Sequence, residues 1–304
     1  MQALKNQLVT FAKEHGISLL GFADRSRFAE VPAQLNPFSI FPEAKTVILV
    51  GKRICRGALR GIEEGTNFGD YQLFGKNWLE DEFLAMATYD LTNFLEGMGW
   101  EACPVFPNPC DVPVSGVPVA PDRPAPNVYP DFDYAAVACG LCTISYNRIL
   151  FSKEFGSRQR FHMILTDAEL EPTPLLTDSV CNGCKACADA CPLGAISKTE
   201  TEVITICGQS FTVGKIDLEK CKNCQNGAVA NRFNAESAPD RIAALCNRTC
   251  MCGLEQRGVL ENQFANAFRT AEAWQIGGDS TIDRSDEQAN VLGGSFSKTG
   301  KRGH

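Results

Sequence analysis

The chain has 304 residues, of which 44% are hydrophobic, so it can bury a sizeable core in one large domain or two of ordinary size. Its formal net charge of -7 provides no clustered cations for phosphate neutralisation, and we expect no nucleic-acid partner. The presence of only three histidines disfavours a poly-His metal site. The sequence has no signal peptide and no apolar run of roughly 18 residues, which predicts a cytoplasmic protein without a membrane span.

The first third of the chain alternates helical and strand patterns. Residues 1–16 predict an amphipathic helix, because apolar residues recur on one face. Short apolar, β-branched runs at Ile17–Ala23 and Thr46–Val50 predict buried strands. Apolar residues at spacings of three and four predict a core-packing helix over Trp78–Met98, which glycines terminate.

The middle of the chain predicts further strands separated by a long loop. Glu101–Phe106 and Arg158–Thr166 have the composition of strands. Pro107–Pro130 is so rich in proline that we expect a loop over much of its length. Asp133–Cys142 is compatible with a helix up to its glycine, and alternating apolar residues on both sides of a Gly-Gln pair predict a hairpin over 201–220.

The firmest motif is a cysteine run with the spacing of two-cluster bacterial ferredoxins. It consists of Cys181, Cys184, Cys187 and Cys191, followed by Pro192. In such runs three thiolates bind one [4Fe-4S] cluster and the fourth binds the other cluster. Structural zinc is the alternative for paired cysteines, but the short spacing favours a cubane cluster. The run therefore predicts an oxygen-sensitive redox protein of a reducing compartment.

The second half of the cluster pair is ambiguous, because two clusters need eight thiolates and the run supplies four. Six more cysteines compete for the four remaining places: Cys207, Cys221, Cys224, Cys246, Cys250 and Cys252. Their spacing is not that of a second ferredoxin run. We predict Cys221, Cys246, Cys250 and Cys252 as ligands. Cys224 is the first replacement, and Cys207 is expected to be a hairpin residue.

The other cysteines are expected to be structural, because free cysteine usually behaves as a small buried hydrophobe. This applies to Cys55, Cys103 and Cys110. Cys139 and Cys142 form a CxxC pair after a helical segment, which fits a redox dithiol or an extra ligand pair. A structural role is favoured there as well.

Three segments in this order resemble the superfamily of epoxyqueuosine reductases and corrinoid reductive dehalogenases. They are FPEAKTVILVGKRI at 41–54, GLCTISYNRILFSKEFGSRQRFHMILTDAELEPT at 140–173 and CNGCKACADACPLGAI at 181–196. The resemblance covers residues 1–257. It implies a nitroreductase-like domain that holds cobalamin and a second domain whose clusters pass electrons to it one at a time, with the cofactor performing the difficult chemistry.

The resemblance also implies cofactor-binding positions. The glycine-rich turn of the superfamily corresponds to Gly140-Leu141-Cys142, and a further glycine of that stretch is replaced by Ser145. Gly140 and Ser145, together with Arg158 near a glycine turn, are the cofactor-binding residues that we predict.

The proton donor cannot be assigned from the sequence. Asp111, Asp131 and Asp133 lie near the expected position, although loop carboxylates and helix caps are the more common roles. Tyr134 and Tyr146 are candidate proton donors of the dehalogenase kind, although core packing is the favoured role for both. The catalytic residues therefore stay unknown at this stage.

These observations predict an α+β fold with three parts: a nitroreductase-like α/β domain with a candidate cobalamin site at 1–172, a ferredoxin-like domain with two 4Fe-4S clusters at 173–262, and a flexible C-terminal extension at 263–304. The predicted function is reduction of a small molecule by an iron-sulfur oxidoreductase. The alternative is an electron-transfer or enzyme-reactivating partner without the organic cofactor. No nucleotide-binding GxGxxG motif is present, so we expect a low-potential donor such as ferredoxin or flavodoxin. A homodimer stays open.

Overall fold

The computed structural model describes residues 2–276, in which helices and strands alternate in a mixed α+β fold. The α-helices are α1 (Gln2–Glu14), α2 (Arg60–Glu63), α3 (Ala85–Gly97), α4 (Phe132–Ala138), α5 (Ala186–Asp189), α6 (Leu218–Lys222) and α7 (Leu245–Gln256). The strands are β1 (Leu19–Asp24), β2 (Thr46–Arg53), β3 (Ala102–Val105), β4 (Thr143–Ile144), β5 (Leu150–Phe151), β6 (Gln159–Thr166), β7 (Ile196–Ile206) and β8 (Gln209–Ile216). The mixed fold class expected from the sequence is confirmed.

The strands β1, β2, β6 and β3 form a four-stranded antiparallel sheet in this order. Successive side chains of a strand point to opposite faces of the sheet, so β2 contributes to two cores. Val47 and Leu49 pack with α4 on one face. Ile48 and Val50 pack with α1 and α3 on the other face. The sheet is therefore the middle layer of a three-layer arrangement, and all four of its strands were predicted.

The long helix expected over Trp78–Met98 has an unexpected first half. Two π-helical segments, Tyr71–Asn77 and Leu79–Leu84, precede α3. Helices of this kind are rare and occur often near functional sites. The first segment ties the sheet domain to the cysteine-rich part, because Tyr71 donates its hydroxyl hydrogen to Asp240 at 2.9 Å. Three short 3-10 helices complete the regular structure: Arg25–Phe28, Pro37–Ser39 and Arg56–Leu59.

The predicted hairpin is present as β7 and β8, which pair in antiparallel register. Its turn lies at Cys207 and Gly208, one residue before the expected Gly-Gln pair. Both turn residues have positive φ, at 49° and 75°, as a two-residue turn of type I′ requires. Cys207 is thus a hairpin residue, as expected. The proline-rich segment between β3 and α4 contains no helix or strand, which also agrees with the prediction.

Part of the segment predicted as a flexible extension is packed against the rest of the protein. The indole N–H of Trp274 donates to the carbonyl of Ile62 at 2.9 Å, and Ile276 pairs with Asn226. Residues 263–276 therefore form a strap that runs back to α2. The remaining residues of the predicted extension, 277–304, lie outside the described part of the chain. Among the described helices, none has the length and apolar character that a membrane crossing requires.

We predict that Leu91→Ala lowers the free energy of unfolding by about 2–5 kcal/mol, because Leu91 is fully buried between α3 and the sheet. Met86→Ala on the same helix is the control, since Met86 is 66% exposed and its truncation should change stability by less than about 0.5 kcal/mol. Urea unfolding of anaerobically purified protein measures both. Equal shifts of the two midpoints would contradict the proposed packing of α3.

Candidate metal centre and adjoining cleft

The run from Cys181 to Cys191 folds into a loop that ends in the short helix α5. Lys185 adopts a left-handed conformation with φ of 61°, which turns the chain between the second and third cysteines. Backbone amides donate to two of the sulfurs: that of Tyr146 to Cys181 Sγ at 3.4 Å and that of Ala195 to Cys191 Sγ at 3.3 Å. Amide donors of this kind stabilise the negative charge of thiolates.

A first set of thiols forms where α5 meets α7. The thiol of Cys250 donates a hydrogen bond to Cys187, which lowers the pKa of Cys187. The same bond and burial raise the pKa of Cys250, and the nearby thiol of Cys181 adds to this rise. Cys184 lies in the loop between Cys181 and Cys187 and is exposed. These four cysteines constitute the first thiol set.

A second set of thiols comes from three separate segments of the chain. Burial raises the pKa of Cys221 to about 11, and the nearby thiols of Cys191 and Cys224 add to this rise. Burial likewise raises the pKa of Cys246 to about 12, and the nearby thiols of Cys191, Cys221 and Cys224 add to this rise. Cys191, Cys221, Cys224 and Cys246 therefore constitute the second thiol set.

Helix α7 decides which of its three cysteines can join these sets. Residues four apart lie on the same helix face, whereas residues two apart do not. Cys246 and Cys250 accordingly face the two thiol sets, one contributing to each. Cys252 lies on another face, where it packs with Phe268.

The structure places the predicted ligand Cys252 away from both thiol sets and places Cys224 within the second set. The charged neighbours of Cys252 are Arg269, Glu63 and Glu255, and no other cysteine is among them. Burial in this environment raises its pKa. The helical period of α7 was readable from the sequence and would have excluded Cys252. The proximity of Cys224 to Cys191 could not be predicted from the sequence.

The surroundings of the two thiol sets fit the negative charge of an iron-sulfur cluster. Within residues 2–276, no three His, Cys, Asp or Glu side chains converge in a way that could hold one metal ion. Arg241 is a charged neighbour of Cys187, Cys221 and Cys246 and lowers the pKa of each. In the same described range, its Nη1 atom is buried and has no hydrogen-bond partner. A guanidinium with a buried, unpartnered nitrogen favours a nearby anionic group such as a thiolate-bound cluster, which would supply one-electron transfer.

The remaining cysteines do not extend the two sets. Cys139 and Cys142 are fully buried in the core beside β2, and burial raises the pKa of both thiols. The structural interpretation of this CxxC pair therefore agrees with its surroundings. Cys103 and Cys110 are half-buried. The expectation that Cys55 is buried is wrong, because it lies at the exposed start of a 3-10 helix.

The three predicted cofactor-binding residues contact the protein itself. A Cβ atom at Gly140 would lie 2.2 Å from the carbonyl oxygen of Pro174, so this glycine accommodates a neighbouring loop. Ser145 is buried, and its hydroxyl donates at 2.7 Å to a backbone carbonyl four residues further on. Arg158 is 1% exposed and donates to Asn262 at 3.0 Å. Each residue has a protein partner, so none of them supports a corrinoid site.

The two candidate tyrosines are also engaged. Tyr134 donates its hydroxyl hydrogen to the carbonyl of Arg27 at 2.8 Å. Tyr146 donates to the carbonyl of Ser197 at 2.9 Å. Hydroxyls that already donate to backbone carbonyls favour the packing role over that of a proton donor.

A cleft of about 500 Å³ opens beside the second thiol set. The proline-rich loop, the start of α4, the hairpin and residues 238–241 form its walls. An adjoining cavity of about 270 Å³ shares Asp133, Arg148 and Arg241 with it. These volumes are in the range of small-molecule sites. The two cavities therefore meet at a small charged cluster.

The three candidate aspartates all line this cleft, but they differ in their partners. Asp131 caps α4 by accepting from the amides of Asp133 and Tyr134, as expected for a helix cap. Asp111 accepts from the amide of Ala238 at 2.7 Å. Asp133 keeps solvent access within the cleft, yet the surrounding protein and Asp131 raise its pKa to about 7, an effect that nearby arginines oppose.

Arg241 was missed by the sequence analysis, although it is a charged neighbour of thiols in both sets and also lines the cleft. It follows a stretch of irregular structure that carries no motif. No pattern in the sequence marks it as functional.

Comparison with known proteins supports a 4Fe-4S site in the run from Cys181 to Cys191. Residues 177–197 match the 4Fe-4S binding domain family. A segment of 65 residues, 20% of this chain, is 43% identical to tetrachloroethene reductive dehalogenases of Desulfitobacterium hafniense and Dehalobacter restrictus. The predicted resemblance to this superfamily is confirmed. The segment spans 12% of the length of these relatives, so their activity as whole proteins is not transferred to this chain.

Solved structures with a similar chain course belong to both branches of the superfamily. An epoxyqueuosine reductase in complex with a tRNA stem loop has a TM-score of 0.45 at 18% identity, covering 64% of this chain and 53% of that one. A reductive dehalogenase described as B12-dependent has a TM-score of 0.47 at 17% identity, covering 80% and 31%. The tRNA complex differs from our expectation of no nucleic-acid partner, which stays a prediction for this chain.

We predict that Cys224→Ser removes about half of the iron and acid-labile sulfide, because loss of one ligand destabilises one of two four-iron clusters. Cys252→Ser is the matched control and should retain the full content, since Cys252 packs with Phe268 away from both sets. Iron and sulfide analysis of anaerobically reconstituted protein measures both. Iron loss in Cys252→Ser with retention in Cys224→Ser would restore the ligand set expected from the sequence.

Proposed function

We propose that this chain is an iron-sulfur oxidoreductase that carries two [4Fe-4S] clusters and reduces a small molecule bound in the cleft. Cys181, Cys184, Cys187 and Cys250 would hold the first cluster. Cys191, Cys221, Cys224 and Cys246 would hold the second cluster. The clusters supply single electrons at low potential, and the protein supplies the binding site for the acceptor.

The observation that carries this proposal is the position of Arg241. Its guanidinium neighbours thiols of both sets and also lines the cleft. A molecule bound there would lie close to the second thiol set, and short distances favour electron transfer. Asp133 lines the same cleft, and its pKa of about 7 allows it to hold or release a proton near neutral pH.

The resemblance implies cobalamin between the clusters and the substrate, but the residues predicted for it do not fit. Gly140, Ser145 and Arg158 face protein groups rather than a shared cavity. The proposed function therefore needs no corrinoid step. We retain the nitroreductase-like character of residues 1–172 as part of the proposal, supported by the layered sheet. A low-potential ferredoxin or flavodoxin is the proposed donor.

The second candidate is an electron-transfer partner that passes electrons to another protein. The poor fit of Gly140, Ser145 and Arg158 to a corrinoid favours this candidate. A chain without that cofactor could deliver electrons to another protein without reducing a substrate itself. The two candidates differ in one respect. Only the oxidoreductase needs an open cleft for electrons to leave the clusters.

We predict that Ala238→Trp slows reoxidation of the reduced clusters by 4-nitrobenzyl alcohol about tenfold, which corresponds to about 1.4 kcal/mol. Ala238 is exposed and lines both cavities, so an indole there would fill the cleft without disturbing the core. Ala235→Trp is the control, because Ala235 is exposed on the same loop but lines neither cavity. Anaerobic stopped-flow absorbance near 400 nm after reduction with dithionite measures the rates.

The outcomes separate the two candidates. A slower rate in Ala238→Trp alone supports reduction in the cleft. Equal rates in the wild type and both variants would favour the electron-transfer partner. Iron, sulfide and cobalt analysis of the same anaerobic sample counts the clusters, and stoichiometric cobalt would contradict a function without a corrinoid.

A further inference from the structure

The walls of the cleft are largely apolar. Ile204 and Ile206 of β7 line it, as do Ile216 and Leu218 and the prolines of the long loop. Apolar walls of this kind bind the hydrocarbon body of a ligand, while a few polar groups determine its orientation.

Two of the three carboxylates in the cleft are already committed to the protein. Asp131 accepts two backbone amides at the start of α4, and Asp111 accepts the amide of Ala238. Their negative charge is partly stabilised by these donors. Within the described chain the side chain of Asp133 accepts no hydrogen bond, and burial together with Asp131 raises its pKa to about 7.

The two arginines of the cleft also differ in whether they have a carboxylate partner in the protein. Arg148 forms a salt bridge with Glu202 at 3.2 Å. Arg241 forms no salt bridge with any carboxylate of the described chain, and its Nη2 atom makes one long hydrogen bond, at 3.5 Å, to the carbonyl of Arg148. A guanidinium has five N–H donors in a fixed fork that matches a carboxylate. The guanidinium of Arg241 therefore has no carboxylate partner in the described chain.

We propose that the cleft binds a small molecule with an apolar body and one anionic group, a carboxylate or similar oxyanion, which Arg241 holds. This inference names the substrate class of the proposed oxidoreductase and rests on that function for its catalytic meaning. Binding itself requires no electron transfer. It can therefore be tested on the oxidised protein, separately from the reaction.

Asp133 makes this binding dependent on pH. The charged and titratable side chains that line the cleft with it are Cys110, Asp111, Asp131, Tyr134, Arg148 and Arg241. When Asp133 is neutral, the anion meets Arg241 without repulsion from it. When Asp133 ionises, the carboxylate competes for the guanidinium and repels the ligand. Affinity for an anion should therefore fall as the pH rises through about 7.

The test compares three probes of similar shape on the holoprotein: benzoate, neutral benzyl alcohol and cationic benzylamine. Ligand-observed NMR titration gives their dissociation constants. We expect benzoate to bind most tightly, and Arg241→Gln to weaken benzoate about tenfold while leaving benzyl alcohol unchanged. Arg53→Gln removes an exposed arginine at the end of β2 and serves as the control.

The pH series separates a direct role of Asp133 from a general charge effect. Benzoate should bind more weakly at pH 8 than at pH 6 in the wild type, and Asp133→Asn should abolish this difference. Benzyl alcohol should show no such difference in either protein.

Equal binding of benzoate and benzyl alcohol, or an Arg241→Gln variant that binds benzoate like the wild type, would overturn the inference. Either result would leave the proposed reduction in the cleft standing, because Ala238→Trp tests that with a neutral acceptor. Conversely, benzoate binding with no effect of Ala238→Trp on reoxidation would support an anion site and contradict the oxidoreductase.

Discussion

Both thiol sets depend on the placement of helix α7. Its period puts Cys246 and Cys250 on one face, and the hydrogen bond between Cys250 and Cys187 joins it to α5. The opposite side is anchored by the fully buried Arg248, which forms an ion pair with Glu63, the last residue of α2. Breaking a buried pair of this kind is strongly destabilising, because it leaves an uncompensated charge. The helix is therefore held on one side by the sheet domain and provides ligands on the other.

The sheet domain also positions the cleft. Arg160 at the beginning of β6 contacts Asp240 and the hydroxyl of Tyr71, which comes from the π-helical segment. This network fixes the irregular chain just before Arg241. Arg241 lies outside any helix or strand, and its position is fixed by these neighbouring buried charges. The first π-helical segment joins this network through Tyr71, and the second segment, which lies within the predicted helix, joins it through the salt bridge between Glu80 and Arg160.

The position of Arg241 links the cleft to the thiols. An anion in the cleft and an electron on a cluster each add negative charge near the same guanidinium. Coupling between two such events is reciprocal. If anion binding lowers the reduction potential of a cluster, reduction of that cluster lowers the affinity for the anion by the same free energy. A substrate held in this way would be sensed by the clusters without any conformational change.

The sequence by itself determined the local features of this protein: the strands of the sheet, the hairpin and the first four cluster cysteines, because each depends on spacing or periodicity within a short segment. It also contained the helical period that separates Cys252 from Cys246 and Cys250. Only the tertiary structure decided that Cys224 approaches Cys191, that Gly140 accommodates a protein loop, and that Arg241 lies between cleft and thiols. These depend on segments far apart in the chain, whose contacts arise from packing and buried charge rather than from local pattern.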